Sequence, residues 1–173
     1  MPARGLVWIC SWSPGIAAVL EPSALSTSST VLGFDVGSRR IGVAIGSSLG
    51  VGARALAVID VHANGPDWAA LDRLHKEWRP QGMIVGDPLT LEGEDQPNRK
   101  RAHAFARQLQ QRYKVPVLLV DERSSSVEAA QRFAVERAEG RKRRRDAANL
   151  DAVAAAVIIE RWLSAPHEAT PIS

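Results

Sequence analysis

An aspartate inside a hydrophobic strand is costly unless it is paired, hydrated or bound to a cation. This chain carries one at Asp35, within Val31-Leu32-Gly33-Phe34-Asp35-Val36. A single strand Asp usually sits on a solvated face. Here Gly33, Gly42 and Ala44 would surround it with almost no side chain, leaving a nearly bare patch on which a metal and a phosphate could rest. Asp121 and Glu122 follow the apolar run Val117 to Val120, and ligands of open α/β sheets bind beyond the carboxyl ends of strands. Adjacent residues point apart, so one of the two is expected to face a site. Asp151 lies in the first turn of an alanine-rich helix, where a helix dipole alone would explain it. Asp87, between Gly86 and Pro88, reads either as a fourth ligand or as a turn residue. Carboxylates converging from separate elements suit hard cations such as Mg2+ or Mn2+. Two such ions can activate water and stabilise the leaving oxygen of a phosphodiester. The four histidines have no ligand spacing, and there is no Walker loop, Gly-x-Ser-x-Gly or Cys–His pairing, so water is the expected nucleophile.

The elements that must position these acids follow from periodicity. Leu32, Phe34 and Val36 alternate with Gly33 and Asp35, and Ile41, Val43 and Ile45 alternate with Gly42 and Ala44. A hairpin pairing Val36 with Ile41 puts every bulky residue on one face, Gly42 opposite Asp35 and Ala44 opposite Gly33. A third strand is expected over about 53–61. Pro66 to Trp78 reads as a helix, Met83 to Val85 as a buried strand, Asn98 to Tyr113 as a second helix and Val117 to Val120 as another strand. Ser126 to about Glu139 and Asn149 to Leu163 read as further helices. A meander followed by strand–helix crossovers predicts an α/β fold with a five-stranded mixed sheet flanked by helices.

The chain has 173 residues, enough for one core. Its one cysteine, Cys10, excludes an internal disulfide framework and a cysteine-rich zinc site. Net charge is only +3, yet Arg99 to Lys114 holds six Lys and Arg with no acid, and Arg141 to Arg145 is an unbroken basic run. Local basic patches on a near-neutral body suit a polyanion; the plain alternative is solvated surface. The second run has no apolar periodicity to anchor it and is expected to be a mobile loop that closes over nucleic acid. No stretch reaches the roughly 20 apolar residues of a membrane span. Residues 1–29 read as a flexible extension, 30–165 as the domain and 166–173 as a C-terminal tail.

Leu32-Gly33-Phe34-Asp35-Val36-Gly37 and Arg40-Ile41-Gly42-Val43-Ala44 resemble the opening of the YqgF/RuvX family of pre-16S rRNA nucleases, related to Holliday-junction resolvases. Lys76-Glu77-Trp78-Arg79-Pro80, Ile84-Val85-Gly86, Pro88-Leu89, Gly93, Asp121-Glu122-Arg123, Ser126 and Asp151-Ala152-Val153-Ala154-Ala155 follow in the family's order. The resemblance covers about residues 31–163. It implies a ribonuclease-H-like fold and a cytoplasmic, metal-dependent endonuclease that processes the 5′ end of precursor 16S rRNA, with precursor rRNA or ribosomal particles as partners. Asp35, Glu122 and Asp151 would form the acidic, metal-binding and catalytic set. Arg40 and Arg123 would contact phosphate; to these the basic run adds Arg141, Lys142 and Arg143. Two positions depart from the family: Asp87 stands where an apolar residue is common, and Ser124-Ser125-Ser126 where leucine and then Ser-Thr are common. Two other functions stay in competition: cleavage of branched DNA, and nucleic-acid binding without turnover in ribosome assembly or transcription. The sequence leaves monomer and homodimer open.

Overall fold

The computed structural model describes residues 25–50, 52–88, 97–122, 131 and 149–172. In chain order the elements are β1 (Val31–Val36), β2 (Arg40–Ser47), β3 (Gly52–His62), β4 (Gly65–Pro66), α1 (Trp68–Trp78), β5 (Gly82–Asp87), α2 (Pro97–Tyr113), β6 (Val117–Asp121), α3 (Leu150–Ser164) and β7 (Thr170–Pro171). They form one mixed sheet in the order β4-β3-β2-β1-β5-β6-β7. β1, β5 and β6 run parallel, β2 pairs antiparallel with β1, and β3 pairs antiparallel with β2. This is the ribonuclease-H-like arrangement, with seven strands rather than the five expected. The two extra strands, β4 and β7, are two-residue ribbons at opposite edges, too short to leave a periodic signal.

The hairpin register is the one that hydrophobic alternation requires: Val36 pairs with Ile41, Asp35 with Gly42 and Gly33 with Ala44. The bulky face of β1 and β2 is one core layer, in which Leu32, Phe34, Ile41 and Val43 meet Leu71 of α1 and Phe105 and Leu109 of α2. Phe34 and Phe105 pack edge to face, 5.4 Å between ring centres. The other face lies under α3, where Ala155, Ile158, Ile159 and Trp162 cover Val31, Ala44, Ile84 and Leu118. Ala152 through Ile159 are all buried.

Asp67 caps α1 by accepting from the Ala70 amide at 3.0 Å. Arg79 then ends the helix in the left-handed region (φ 45°), ahead of Pro80. Of the segment 1–29, residues 25–29 are described and contact the domain: the Ser48 amide donates to the Thr27 carbonyl at 2.8 Å. Residues 166–172 also pack against it: β7 pairs with β6, the Ile172 amide donates to Val117 at 3.1 Å, and Ile172 is buried. Apart from residue 131, the expected helix over 126–139 lies outside the described residues, as does the basic run.

Candidate active site

Parallel strands β1, β5 and β6 bring Asp35, Asp87 and Asp121 to their carboxyl ends, and β5 and β6 pair Asp87 directly with Asp121. The turn after β6 carries Glu122, whose amide donates to the Asp87 carbonyl at 3.2 Å. The Glu122 carboxylate lies against Gly86, where a Cβ would collide with it. Gly86 is thus the space that lets Glu122 lie across β5. Asp121 diverges from Glu122, as adjacent residues must: it lines a cavity of about 390 Å3 with Glu160, Arg161 and Ser164 of α3.

The bare patch around Asp35 is not an open floor for a ligand. The backbone of Asp151 and Ala152 packs against Gly42, where a Cβ would strike the Asp151 carbonyl, and Ile159 covers Gly33. The small residues admit a helix. That contact sets the first turn of α3, and so Asp151, beside the residue paired with Asp35.

The electrostatics tie these acids together. Burial pushes the Asp35 carboxyl up to about 6, and the neighbouring Asp151 adds to the rise. Burial also pushes Glu122 up to about 8, reinforced by Asp35, then Asp87 and Asp121, and opposed by Arg161. Asp35 thus feels Asp151, and in turn acts on Glu122. Arg40, at the start of β2, forms an ion pair with Asp151 (Nε to Oδ2, 3.1 Å) while almost half its side chain stays exposed. Arg161 reaches back from α3 to donate to the Asp121 carbonyl at 3.0 Å. Sequence reading did not single it out, because a cation near a helix C-terminus is ordinary.

Asp87 has a definite assignment. It is only 6% exposed. Arg99 of α2 donates to it through Nε at 3.0 Å and Nη2 at 3.3 Å. His103 Nε2 stands 3.1 Å from the same carboxylate. Asp87 is thus bound to α2 while adding negative potential at Glu122. Arg123, Arg141, Lys142 and Arg143 lie outside the described residues.

As the side chains stand, no three His, Cys, Asp or Glu among the described residues are grouped closely enough to hold a metal ion. The donor set is nevertheless the chemistry of a hard cation: oxygen ligands only, partly buried, with burial and neighbouring carboxylates holding Asp35 and Glu122 against ionisation. By that test the residues fit a divalent cation, without forming a finished coordination shell.

Fold and site define a class: a ribonuclease-H-like α/β domain with an acidic cluster at the carboxyl edge of its parallel strands. The family model that matches, described as RuvX: Holliday junction resolvase, covers residues 29–165. A protein of Xanthomonas campestris pv. campestris (strain 8004), named "Putative pre-16S rRNA nuclease", is 75% identical over 150 residues, 87% of this chain and 97% of that protein. One of Xanthomonas euvesicatoria pv. vesicatoria (strain 85-10) with the same name is 72% identical over 152 residues, 88% and 98% of the two chains. Among solved structures, Thermus thermophilus RuvC in complex with a Holliday junction substrate aligns at 20% identity and TM-score 0.49, covering 83% of this chain and 99% of that one. The yeast mitochondrial resolvase Ydc2 aligns at 12% and 0.43, covering 79% and 78%. The chain belongs to the RuvX family. Among the described residues no helix is long and apolar enough to cross a membrane.

Proposed function

We propose that this protein is a metal-dependent endonuclease that processes the 5′ end of precursor 16S rRNA, with Asp35, Glu122 and Asp151 as its catalytic carboxylates. As a RuvX member it is a nuclease, a hydrolase of phosphodiester bonds. The relatives' name supplies the substrate. The observation that supports the site assignment is the partly buried Asp35 carboxylate, held against ionisation by its burial and by Asp151 and itself raising Glu122. Asp35, Glu122 and Asp151 would hold Mg2+ or Mn2+, which when bound supplies positive charge to the phosphate and to the attacking water.

The protein's own groups do the rest. β1 and the close seat of α3 on Gly42 fix Asp35 and Asp151 before substrate arrives, so little reorganisation remains for the reaction. Glu122 lies across Gly86 at the edge of the site, where its carboxylate would complete the oxygen donor set. Arg40 offers a partly exposed guanidinium at the Asp151 end, where it can pass from the carboxylate to a substrate phosphate. Arg123 and the basic run from Arg141 are assigned to the RNA backbone on sequence alone.

The test compares wild type and Asp35→Asn on a precursor 16S rRNA fragment with Mg2+ or Mn2+. We expect cleavage by wild type and a loss of at least ~100-fold in the variant, which stays folded. Equal cleavage by both proteins would refute the assignment. A second reading, cleavage of branched DNA, is favoured by the description of the family model. Competition between a four-way DNA junction and the rRNA fragment decides between them.

A further inference from the structure

The side of α2 that faces away from the core carries a feature that the acidic site does not explain. Arg99, His103 and Arg107 are spaced four residues apart on one helical face, with Lys100 beside them. Among the described residues, these four side chains line a shallow cavity of about 240 Å3. It is not a remote patch. Its inner wall is fixed by Asp87, which pairs with Arg99 through two nitrogens and contacts His103. Asp87 is also the residue whose carbonyl receives the Glu122 amide and whose charge acts on Glu122. One buried carboxylate therefore joins the basic cavity to the acidic edge.

A buried aspartate that binds one arginine fixes that guanidinium in place. Arg99 remains 42% exposed on its outer side, and Lys100 and Arg107 are exposed. The α2 helix itself contains no acid. A basic cavity with one fixed guanidinium, beginning where an acidic site ends, matches a nucleic-acid strand: its scissile phosphate lies at the carboxylates, and the next phosphates need positive charge.

The geometry points to the Arg99–Lys100–His103–Arg107 face of α2 as a second binding surface, one that holds the phosphate backbone of the RNA strand as it leaves the carboxylate site. This rests on the nuclease reading for its orientation, but its test is binding, not turnover. The affinity of a fluorescent single-stranded RNA is measured by anisotropy in EDTA over a salt series. The proteins are wild type, Lys100→Glu/Arg107→Glu and Lys76→Glu, the last on α1 as a charge control. Circular dichroism melts confirm folding, and Arg107→Ala alone serves as the milder variant.

The double variant should bind roughly tenfold or more weakly, with its salt slope reduced by about 1–2, since each phosphate contact on a single strand contributes about 0.7. Arg107→Ala should lose part of this, and Lys76→Glu should bind within about twofold of wild type. A DNA strand of the same sequence should show the same loss, because the contact is to phosphate. Unchanged affinity and slope in the double variant would overturn the proposal, as would an equal loss in Lys76→Glu or a loss confined to RNA. Cleavage assays on the same proteins keep the two readings apart. Wild type that cleaves beside a double variant that binds normally sinks the surface alone. Wild type that never cleaves, beside a double variant that binds poorly, sinks the nuclease reading alone.

Discussion

Asp35 and Glu122 resist ionisation in the folded chain, and this gives the acidic site a pH signature of its own. Glu122 holds its proton up to about pH 8 when folded, against 4.5 ordinarily, and Asp35 to about 6 against 3.8. Between the ordinary and the raised values the folded state binds more protons than the unfolded one. Stability of the metal-free protein therefore falls as pH rises through that window, and the full benefit is present only below the ordinary values. Glu122→Gln removes the larger of the two effects. In EDTA at pH 8 the variant should be more stable than wild type by ~1–3 kcal/mol. The difference should shrink towards pH 5, as read from urea unfolding at each pH. Parallel curves for the two proteins would mean that Glu122 is not held against its charge. Neither raised value is visible in the sequence, because both depend on burial by distant elements. The same holds for Asp87, whose partners Arg99 and His103 lie 12 and 16 positions away across a crossover. Sequence reading could place Asp87 at a strand end but could not choose between ligand and turn.

Elements were more legible than partners. The β1–β2 register followed from alternation alone, because a slip by one residue would turn Asp35 into the core and Leu32 and Phe34 out of it. The apolar face of α2 is also as its spacing predicts, with Ala102, Phe105, Ala106 and Leu109 buried. What alternation could not tell was what fills the space over Gly33 and Gly42. The answer, α3, also lies in the sequence as its run of alanines, but the two segments are more than a hundred residues apart. β4 and β7 were illegible because two residues carry no period. The seat of α3 makes a graded prediction. A methyl at Gly42 would meet the backbone carbonyl and carbon of Asp151 and the amide of Ala152, none of which can rotate away. A methyl at Gly33 would meet chiefly the Ile159 side chain, which has other rotamers. Gly42→Ala should therefore cost ~1–3 kcal/mol or more and Gly33→Ala less. Gly42→Ala should also lose cleavage at temperatures where it is still folded, because the helix turn that carries Asp151 has moved. Equal stability losses, or full activity in a destabilised but folded Gly42→Ala, would show that α3 is not seated this way.

At the scale of the whole molecule, the sheet gathers negative charge at its carboxyl edge, with Arg40 at one end of the cluster and Arg161 near the other. A fold that concentrates like charges in a partly buried place gives up stability there, and a cation that binds only the native state returns it. This links global stability to metal in a way that needs no substrate. The acids must lose their protons to bind an ion, so the gain should grow with pH. Wild type should melt roughly 5–10 °C higher with saturating Mg2+ or Mn2+ than in EDTA at pH 8, taking about 2.7 kcal/mol at a hundredfold excess over Kd and ~2–4 °C per kcal/mol. At pH 6 the shift should be smaller, because Glu122 is still protonated and Asp35 is half so. Asp35→Asn should melt near the same temperature with and without metal. Lys100→Glu/Arg107→Glu, which leaves the carboxylates alone, should keep the wild-type shift. A metal-induced rise that survives in Asp35→Asn would place the ion elsewhere on the molecule. The absence of any rise in wild type at pH 8 would mean that these carboxylates hold no ion before nucleic acid arrives, leaving substrate phosphate to supply the missing ligands.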